Sequence, residues 1–159
     1  MTDFEGLLRV LAEGRVDFIL VGGVAARAHG SARLTQDLDV VYSRDAGNVE
    51  RLVAALGPLS PYLRGAPAGL PFHLDAATVF RGLNFTLTTA RGDLDLLGEI
   101  VGGGGYEALL PHTVELTLFG VACRCLDLEW LIRVKRAAGR PRDLEAIAEL
   151  EALREELNR

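Results

Sequence analysis

The sequence lacks the features of several classes of protein. It contains no run of about 18 apolar residues, the length that a membrane-spanning helix needs. Its first ten residues, MTDFEGLLRV, carry acids where a signal peptide has a basic region. Its net charge of −5 argues against a protein that coats nucleic acid, since nonspecific binding to phosphates needs clustered Lys and Arg. We therefore expect a cytoplasmic protein with no membrane partner.

Cysteine is also scarce. The two cysteines, Cys123 and Cys125, are two residues apart in a strand-like segment, so their side chains point the same way. Neighbours of this kind in a cytoplasmic protein are expected to be reduced thiols rather than a structural disulfide. No further Cys or His lies nearby in the sequence to complete a metal site.

The chain does have enough apolar residues for one hydrophobic core. Of its 159 residues 49% are hydrophobic, which predicts a single domain over residues 1–159. We divide it into a core, 15–126, and a C-terminal helical segment, 127–159. The order of helical and strand patterns predicts an α/β or α+β domain with a small mixed sheet.

Periodicity and turn signals locate the elements. Helices are predicted at about 3–13, 24–29, 49–56, 127–138 and 143–157. Strands are predicted at about 17–21, 38–42, 83–89, 93–97, 113–119 and 121–126. The segment 58–71 contains four prolines and predicts an irregular loop or lid. The last helix is expected to place Leu144, Ile147, Leu150, Leu153 and Leu157 on one face.

Two Asp-Leu-Asp triplets stand within predicted strands. Asp37 and Asp39 share one face of the first strand, and Asp93 and Asp95 share one face of the second. If the strands are neighbours, these carboxylates converge on a space suited to Mg²⁺ and to a substrate that carries phosphates. The alternative is a half-solvated edge strand with polar residues pointing outward.

A glycine turn precedes the first triplet. Gly22 and Gly23 follow an apolar strand and open a short helix, where free backbone N–H groups favour a phosphate. Arg33 could neutralise such a phosphate, and the Thr35 hydroxyl could brace the second strand. The alternatives are an ordinary turn and a surface arginine. His29 is expected to close the short helix rather than to act as a base.

The stretch FILVGGVAARAHGSARLTQDLDVV resembles the nucleotidyltransferase superfamily of the polymerase-beta type, in particular its AbiEii-like and minimal nucleotidyltransferase members. The resemblance implies an α+β nucleotidyltransferase fold, a small mixed sheet flanked by helices. It implies that Asp37 and Asp39 hold divalent ions and that Gly22 and Gly23 form the phosphate-binding turn. A third carboxylate comes from a later strand. Asp95 in GDLDLLGEI matches it best, with Asp93 as its rival.

The resemblance extends to the C-terminal segment LIRVKRAAGRPRDLEAIAEL, where Lys135 is implied to reach nucleotide phosphates. A solvated helix lysine is the alternative. Arg142 and Asp143 look like packing and capping residues. The sequence departs from the widespread motif at Gly23, where a serine hydroxyl usually binds a phosphate.

The resulting prediction is a nucleotidyltransferase that uses Mg²⁺, as two ions held by Asp37, Asp39 and Asp95, and transfers NMP from an NTP to an acceptor hydroxyl. Asp95 would also assist removal of the hydroxyl proton. The acceptor is RNA such as tRNA, a protein or a small molecule. A basic cluster suits a tRNA-like partner, with a solvated helix face as the alternative, and the resemblance to AbiEii-like proteins implies a toxin paired with an antitoxin. The cluster comprises Arg133, Lys135, Arg136, Arg140 and Arg142.

Two other classes of function remain open. One is a catalytically inactive module of the same fold that binds a nucleotide or a partner. The other is an interaction protein that uses its amphipathic C-terminal helix as a dimer surface. The sequence leaves the oligomeric state open.

Overall fold

The computed structural model describes residues 1–159, which form seven α-helices and nine β-strands. The helices are α1 (Phe4–Glu13), α2 (Gly22–Ala28), α3 (Ala46–Leu56), α4 (Ala76–Arg81), α5 (Tyr106–Leu109), α6 (Leu128–Ala138) and α7 (Pro141–Leu157). The strands are β1 (Phe18–Val21), β2 (Asp37–Tyr42), β3 (Tyr62–Leu63), β4 (Phe85–Thr89), β5 (Gly92–Leu97), β6 (Glu99–Ile100), β7 (Gly104–Gly105), β8 (Thr113–Leu118) and β9 (Val121–Leu126).

Seven strands form one mixed sheet in the order β3-β4-β5-β2-β1-β9-β8. The pairs β1/β9 and β2/β5 are parallel, and the other neighbours are antiparallel. β6 and β7 form a separate two-stranded ribbon. The sheet and its flanking helices confirm the predicted α+β fold.

Apolar residues at alternate strand positions build the core. Leu38 and Val40 of β2 are fully buried, as are Leu94 and Leu96 of β5. Because successive side chains of a strand point to opposite faces, the aspartates between these residues lie on the other face of the sheet. The fold therefore presents the acids on a rigid platform.

A smaller apolar cluster attaches the C-terminal helices beside this platform. Ala26 of α2 packs with Ile132 of α6 and with Ile147 and Leu150 of α7. This contact brings both C-terminal helices next to the turn between β1 and α2. Asp127 caps α6, because its Oδ1 accepts a hydrogen bond of 2.8 Å from the Trp130 N–H.

The structure corrects several local predictions. α4 and α5 were not predicted, because helices of six and four residues are too short to show a periodic pattern. The segment 58–71 includes the strand β3 and part of a 3₁₀ turn, rather than only a loop. Leu144 and Leu157 are exposed, because α7 buries only Asp143, Ala146, Ile147 and Leu150.

Two further observations concern the expected absences. Cys123 and Cys125 are free, as predicted, and the structure shows that both are buried. No helix combines the length and the apolar character that crossing a membrane requires.

Candidate active site

The two Asp-Leu-Asp triplets lie side by side in the sheet. The parallel register of β2 and β5 places Asp37 opposite Asp93 and Asp39 opposite Asp95. Because residues two apart share a face of a strand, all four carboxylates lie on the same face. The predicted convergence of the triplets is confirmed.

Three of these acids form a compact cluster, which we call the carboxylate triad. Asp37, Asp39 and Asp95 each offer one carboxylate oxygen, and these three atoms all lie within 4.8 Å of one another. Oxygen ligands of this kind suit Mg²⁺ and other hard cations. Asp93 is not part of the triad, so the geometry favours Asp95 as the third acid.

Asp39 is the triad member whose environment most disfavours a negative charge. Its Oδ1 is buried and has no hydrogen-bond partner. Burial, reinforced by the charges of Asp95 and Asp37, raises the pKa of Asp39 to about 8. A cation bound at this oxygen would compensate both its lost hydration and the repulsion between the acids. The residues present therefore fit a divalent metal ion.

The raised pKa of Asp39 predicts how stability depends on pH. The native protein keeps this proton up to about pH 8, whereas the unfolded chain releases it near the ordinary pKa of 3.8. The contribution of this proton to stability is therefore fully present below the pKa of the unfolded chain. It is lost as the pH rises through the pKa of the folded protein. We expect the free energy of unfolding of the metal-free wild type, relative to Asp39→Asn, to fall between about pH 5 and pH 8. Urea unfolding of both proteins in the presence of a chelator measures this difference in free energy. A difference that does not change with pH contradicts the prediction.

The glycine turn contacts the triad directly. Gly22 is the first residue of α2 and has a φ of +70°, a conformation that favours glycine. A Cβ at this position would also collide with the Asp39 carboxylate. Glycine is required here by both the backbone and the space.

Thr35 fills the space beside the second glycine. A Cβ on Gly23 would lie 2.6 Å from Thr35 Oγ1. The Thr35 hydroxyl also donates a hydrogen bond of 3.4 Å to the main-chain carbonyl of Asp37. A hydroxyl group is therefore present beside the turn even though residue 23 is not serine.

A cavity of about 460 Å³ opens over the triad. It is lined by all eight residues that the sequence analysis selected: Gly22, Gly23, Arg33, Thr35, Asp37, Asp39, Asp95 and Lys135. Arg140 and Arg142 line it as well. The cavity thus combines acids that suit a cation with basic groups that suit phosphates.

Two of the basic residues in this cavity differ in their surroundings. Arg33 is exposed, and its Nε donates to Glu149 Oε2 at 2.7 Å, with Glu145 Oε2 at 3.9 Å from its Nη2. Lys135 is half-buried, and burial lowers its pKa. In this structure Arg33 is paired with a carboxylate, so a phosphate would compete with Glu149 for it.

The basic cluster of the C-terminal segment does not form one surface. Arg133 packs over the ring of Trp130 with 4.8 Å between its Cζ and the ring centroid, and Arg136 forms an ion pair with Glu151. The other three members line the cavity: Lys135, Arg140 and Arg142. The five residues therefore do not form the continuous basic surface with which a protein binds a nucleic acid.

Arg64 is a site residue that sequence reasoning missed. It follows β3 in the proline-rich segment, and its Nη2 donates to Asp95 Oδ1 at 2.8 Å. Its Nε lies 3.4 Å from Asp93 Oδ1, and its Nη1 lies 3.7 Å from Asp37 Oδ2. A single arginine in an irregular segment carries no sequence signal of such contacts.

A second cavity of about 400 Å³ adjoins the first. Gly22, Asp39 and Lys135 line both cavities. The second has a more apolar wall, formed by Val21, Leu97, Ile100, Val101, Leu131, Val134 and Ala138, with Asn84, Glu99, Arg140 and Asp143 as further polar members. Of the triad, Asp39 alone borders both spaces.

His29 has a structural contact rather than a place in the cavity. Its Nε2 lies 2.9 Å from the main-chain carbonyl oxygen of Leu126, to which it donates a hydrogen bond. This bond ties the end of α2 to β9, in agreement with the prediction that His29 closes the helix.

No protein-family model and no curated protein matches the chain. Its fold is that of solved nucleotidyltransferases. One of them is the lincosamide antibiotic adenylyltransferase LnuA with lincomycin bound, at 16% identity and a TM-score of 0.63, covering 96% of this chain and 98% of that one.

Two further structures share the fold. A Thermotoga maritima protein assigned as a nucleotidyltransferase has 15% identity and a TM-score of 0.52, covering 99% of this chain and 96% of that one. ANT(2")-Ia, solved with adenylyl-2"-tobramycin, has 15% identity and a TM-score of 0.52, covering 96% and 92%. At these identities the likeness establishes the fold alone.

Proposed function

We propose that the chain is a Mg²⁺-dependent nucleotidyltransferase that transfers NMP from an NTP to an acceptor hydroxyl. The observation that carries this proposal is the carboxylate triad, which includes the buried, unpartnered Asp39 oxygen and lines a cavity that also contains basic residues. The fold shared with adenylyltransferases supports it.

The chemistry requires a metal at the triad. Asp37, Asp39 and Asp95 would hold two Mg²⁺ ions, and these ions would supply positive charge against the triphosphate and the attacking oxygen. The acceptor oxygen bonds to the α-phosphorus as the bond from that phosphorus to the bridging oxygen breaks, and pyrophosphate leaves. Asp95 accepts the proton of the hydroxyl group.

The first cavity is the proposed nucleotide site. The backbone N–H groups of Gly22 and Gly23 and the Thr35 hydroxyl would donate to phosphate oxygens. Lys135 and Arg33 would add positive charge, with Arg33 exchanging Glu149 for a phosphate.

The second cavity is the proposed acceptor site. It opens at Asp39, so a hydroxyl group bound there would lie near the triad. Its volume and apolar wall suit a small molecule with an apolar body. LnuA was solved with lincomycin and ANT(2")-Ia with adenylyl-tobramycin, so small-molecule acceptors occur on this fold.

An RNA or protein acceptor, as in an AbiEii-like toxin held by an antitoxin, is the alternative. The divided basic cluster disfavours an RNA acceptor, since three of its five members line the cavity. A catalytically inactive binding module is the second alternative, and the complete triad argues against it.

Calorimetry with each NTP and Mg²⁺ tests the proposal. We expect binding that requires the metal and that disappears in Asp37→Ala/Asp39→Ala, while Asp45→Asn, an aspartate outside both cavities, binds as wild type does. Incubation of α-³²P-labelled NTPs with cell extract then identifies the acceptor. Label in small molecules supports the acceptor site, label in RNA or protein supports the toxin alternative, and metal-independent binding refutes the enzyme.

A further inference from the structure

Arg64 lies among the four aspartates of β2 and β5, which we call the acid platform. It is the basic side chain that forms ion pairs with these acids, and it reaches three of the four. A further hydrogen bond fixes its position, because Nη2 also donates to the main-chain carbonyl oxygen of Leu87 at 2.6 Å. The position of Arg64 is therefore fixed both by the acids and by the backbone of β4.

The contacts of Arg64 overlap with those that a metal ion would use. Two of its three partners, Asp37 and Asp95, belong to the triad. Its side chain is 26% exposed, so its charge is screened less than that of a surface arginine. A positive charge within 4 Å of two ligands opposes a second cation at the same carboxylates.

The third acid that contacts Arg64 is Asp93. Asp93 lies outside the triad, with Arg64 Nε 3.4 Å from its Oδ1. Because Arg64 Nε makes no hydrogen bond, this contact is an ion pair only, and Asp93 adds negative charge beside Arg64 without being a member of the triad.

We propose that Arg64 is a resident counter-cation, which holds the acids together in the metal-free protein and competes with divalent ions for Asp37 and Asp95. The inference rests on the proposed function, because it requires that the triad binds divalent ions. Its consequence is that the free protein binds a bare ion weakly, and that the charge of the bound nucleotide favours loading.

Titration of Mn²⁺ followed by electron paramagnetic resonance tests the competition without a measurement of activity. We expect Arg64→Gln to bind Mn²⁺ about tenfold or more tightly than wild type, because a nearby charge is removed. Arg64→Lys keeps the charge and should stay within about threefold of wild type. Arg91→Gln is the matched control, since Arg91 forms an exposed ion pair with Asp3 at 2.7 Å and forms none with the four acids.

Thermal unfolding in chelator tests the counter-charge. Arg64→Gln should lower the Tm by about 4 °C or more, and Arg64→Gln with Asp93→Asn should recover part of this loss, because the double variant restores the net charge. A double variant no more stable than the single one contradicts the charge balance.

The outcomes separate this inference from the proposed function. Mn²⁺ binding to wild type with equal or weaker binding to Arg64→Gln overturns the counter-cation and leaves the nucleotidyltransferase standing. Absence of Mn²⁺ binding in both proteins overturns the metal site itself and, with it, the competition.

Discussion

Asp39→Asn should abolish nucleotidyl transfer and yet leave the metal-free protein at least as stable as the wild type at about pH 8. We expect turnover to fall by about a thousandfold or more, since an amide replaces the charged ligand on which metal-assisted transfer depends. Stability should hold or rise because the neutral amide removes a negative charge that burial and Asp95 disfavour. Initial rates with saturating NTP and urea unfolding in chelator are the two measurements.

The opposite directions of these effects make the prediction specific. A general defect in folding lowers activity and stability together, whereas removal of a metal ligand lowers only activity. Asp45→Asn serves as the control, because Asp45 makes no side-chain capping bond and lies outside both cavities. Turnover by Asp39→Asn within tenfold of the wild type would exclude Asp39 as a required ligand.

The convergence of the acids could be predicted because it depends on local rules. A strand has a period of two, so each Asp-Leu-Asp triplet places its acids on one face whatever the rest of the fold does. The only long-range requirement is that β2 and β5 are neighbours, and the two strands do pair in the sheet. The side-chain positions, and not the register, group Asp95 rather than Asp93 with Asp37 and Asp39.

The remainder of the site depends on contacts that no local pattern encodes. Arg64 reaches Asp95 from a segment 31 residues earlier in the chain, and Arg33 meets Glu149 across 116 residues. Both contacts depend on tertiary packing, which brings β3 and α7 beside the acids. Likewise, the sequence shows that Thr35 has a hydroxyl, but the position of that hydroxyl beside Gly23 depends on tertiary packing.

Gly22→Ala is expected to have the second large effect. Alanine at a φ of +70° costs about 1–2 kcal/mol, and its Cβ also collides with the Asp39 carboxylate. We expect the free energy of unfolding to fall by about 2 kcal/mol or more, and Mn²⁺ binding to weaken because Asp39 must move. Urea unfolding and electron paramagnetic resonance measure the two effects.

Gly57→Ala is the matched glycine control. Gly57 has a helical φ of −50°, and a Cβ there meets no atom within 4 Å. This substitution should leave stability unchanged or raise it by about 0.5 kcal/mol, because alanine restricts the unfolded chain. Equal losses in Gly22→Ala and Gly57→Ala would show that the position of Gly22 beside the triad has no special requirement.

A double variant separates the two causes of the Gly22 effect. In Asp39→Ala the carboxylate that the new Cβ would strike is gone, so only the cost of the backbone conformation remains. We therefore expect Gly22→Ala to destabilise the Asp39→Ala protein less than it destabilises the wild type, by about 0.5 kcal/mol or more. Additive losses would instead mean that the turn and Asp39 are independent. Coupling would mean that Gly22 is required because the glycine turn and the Asp39 carboxylate share one small space.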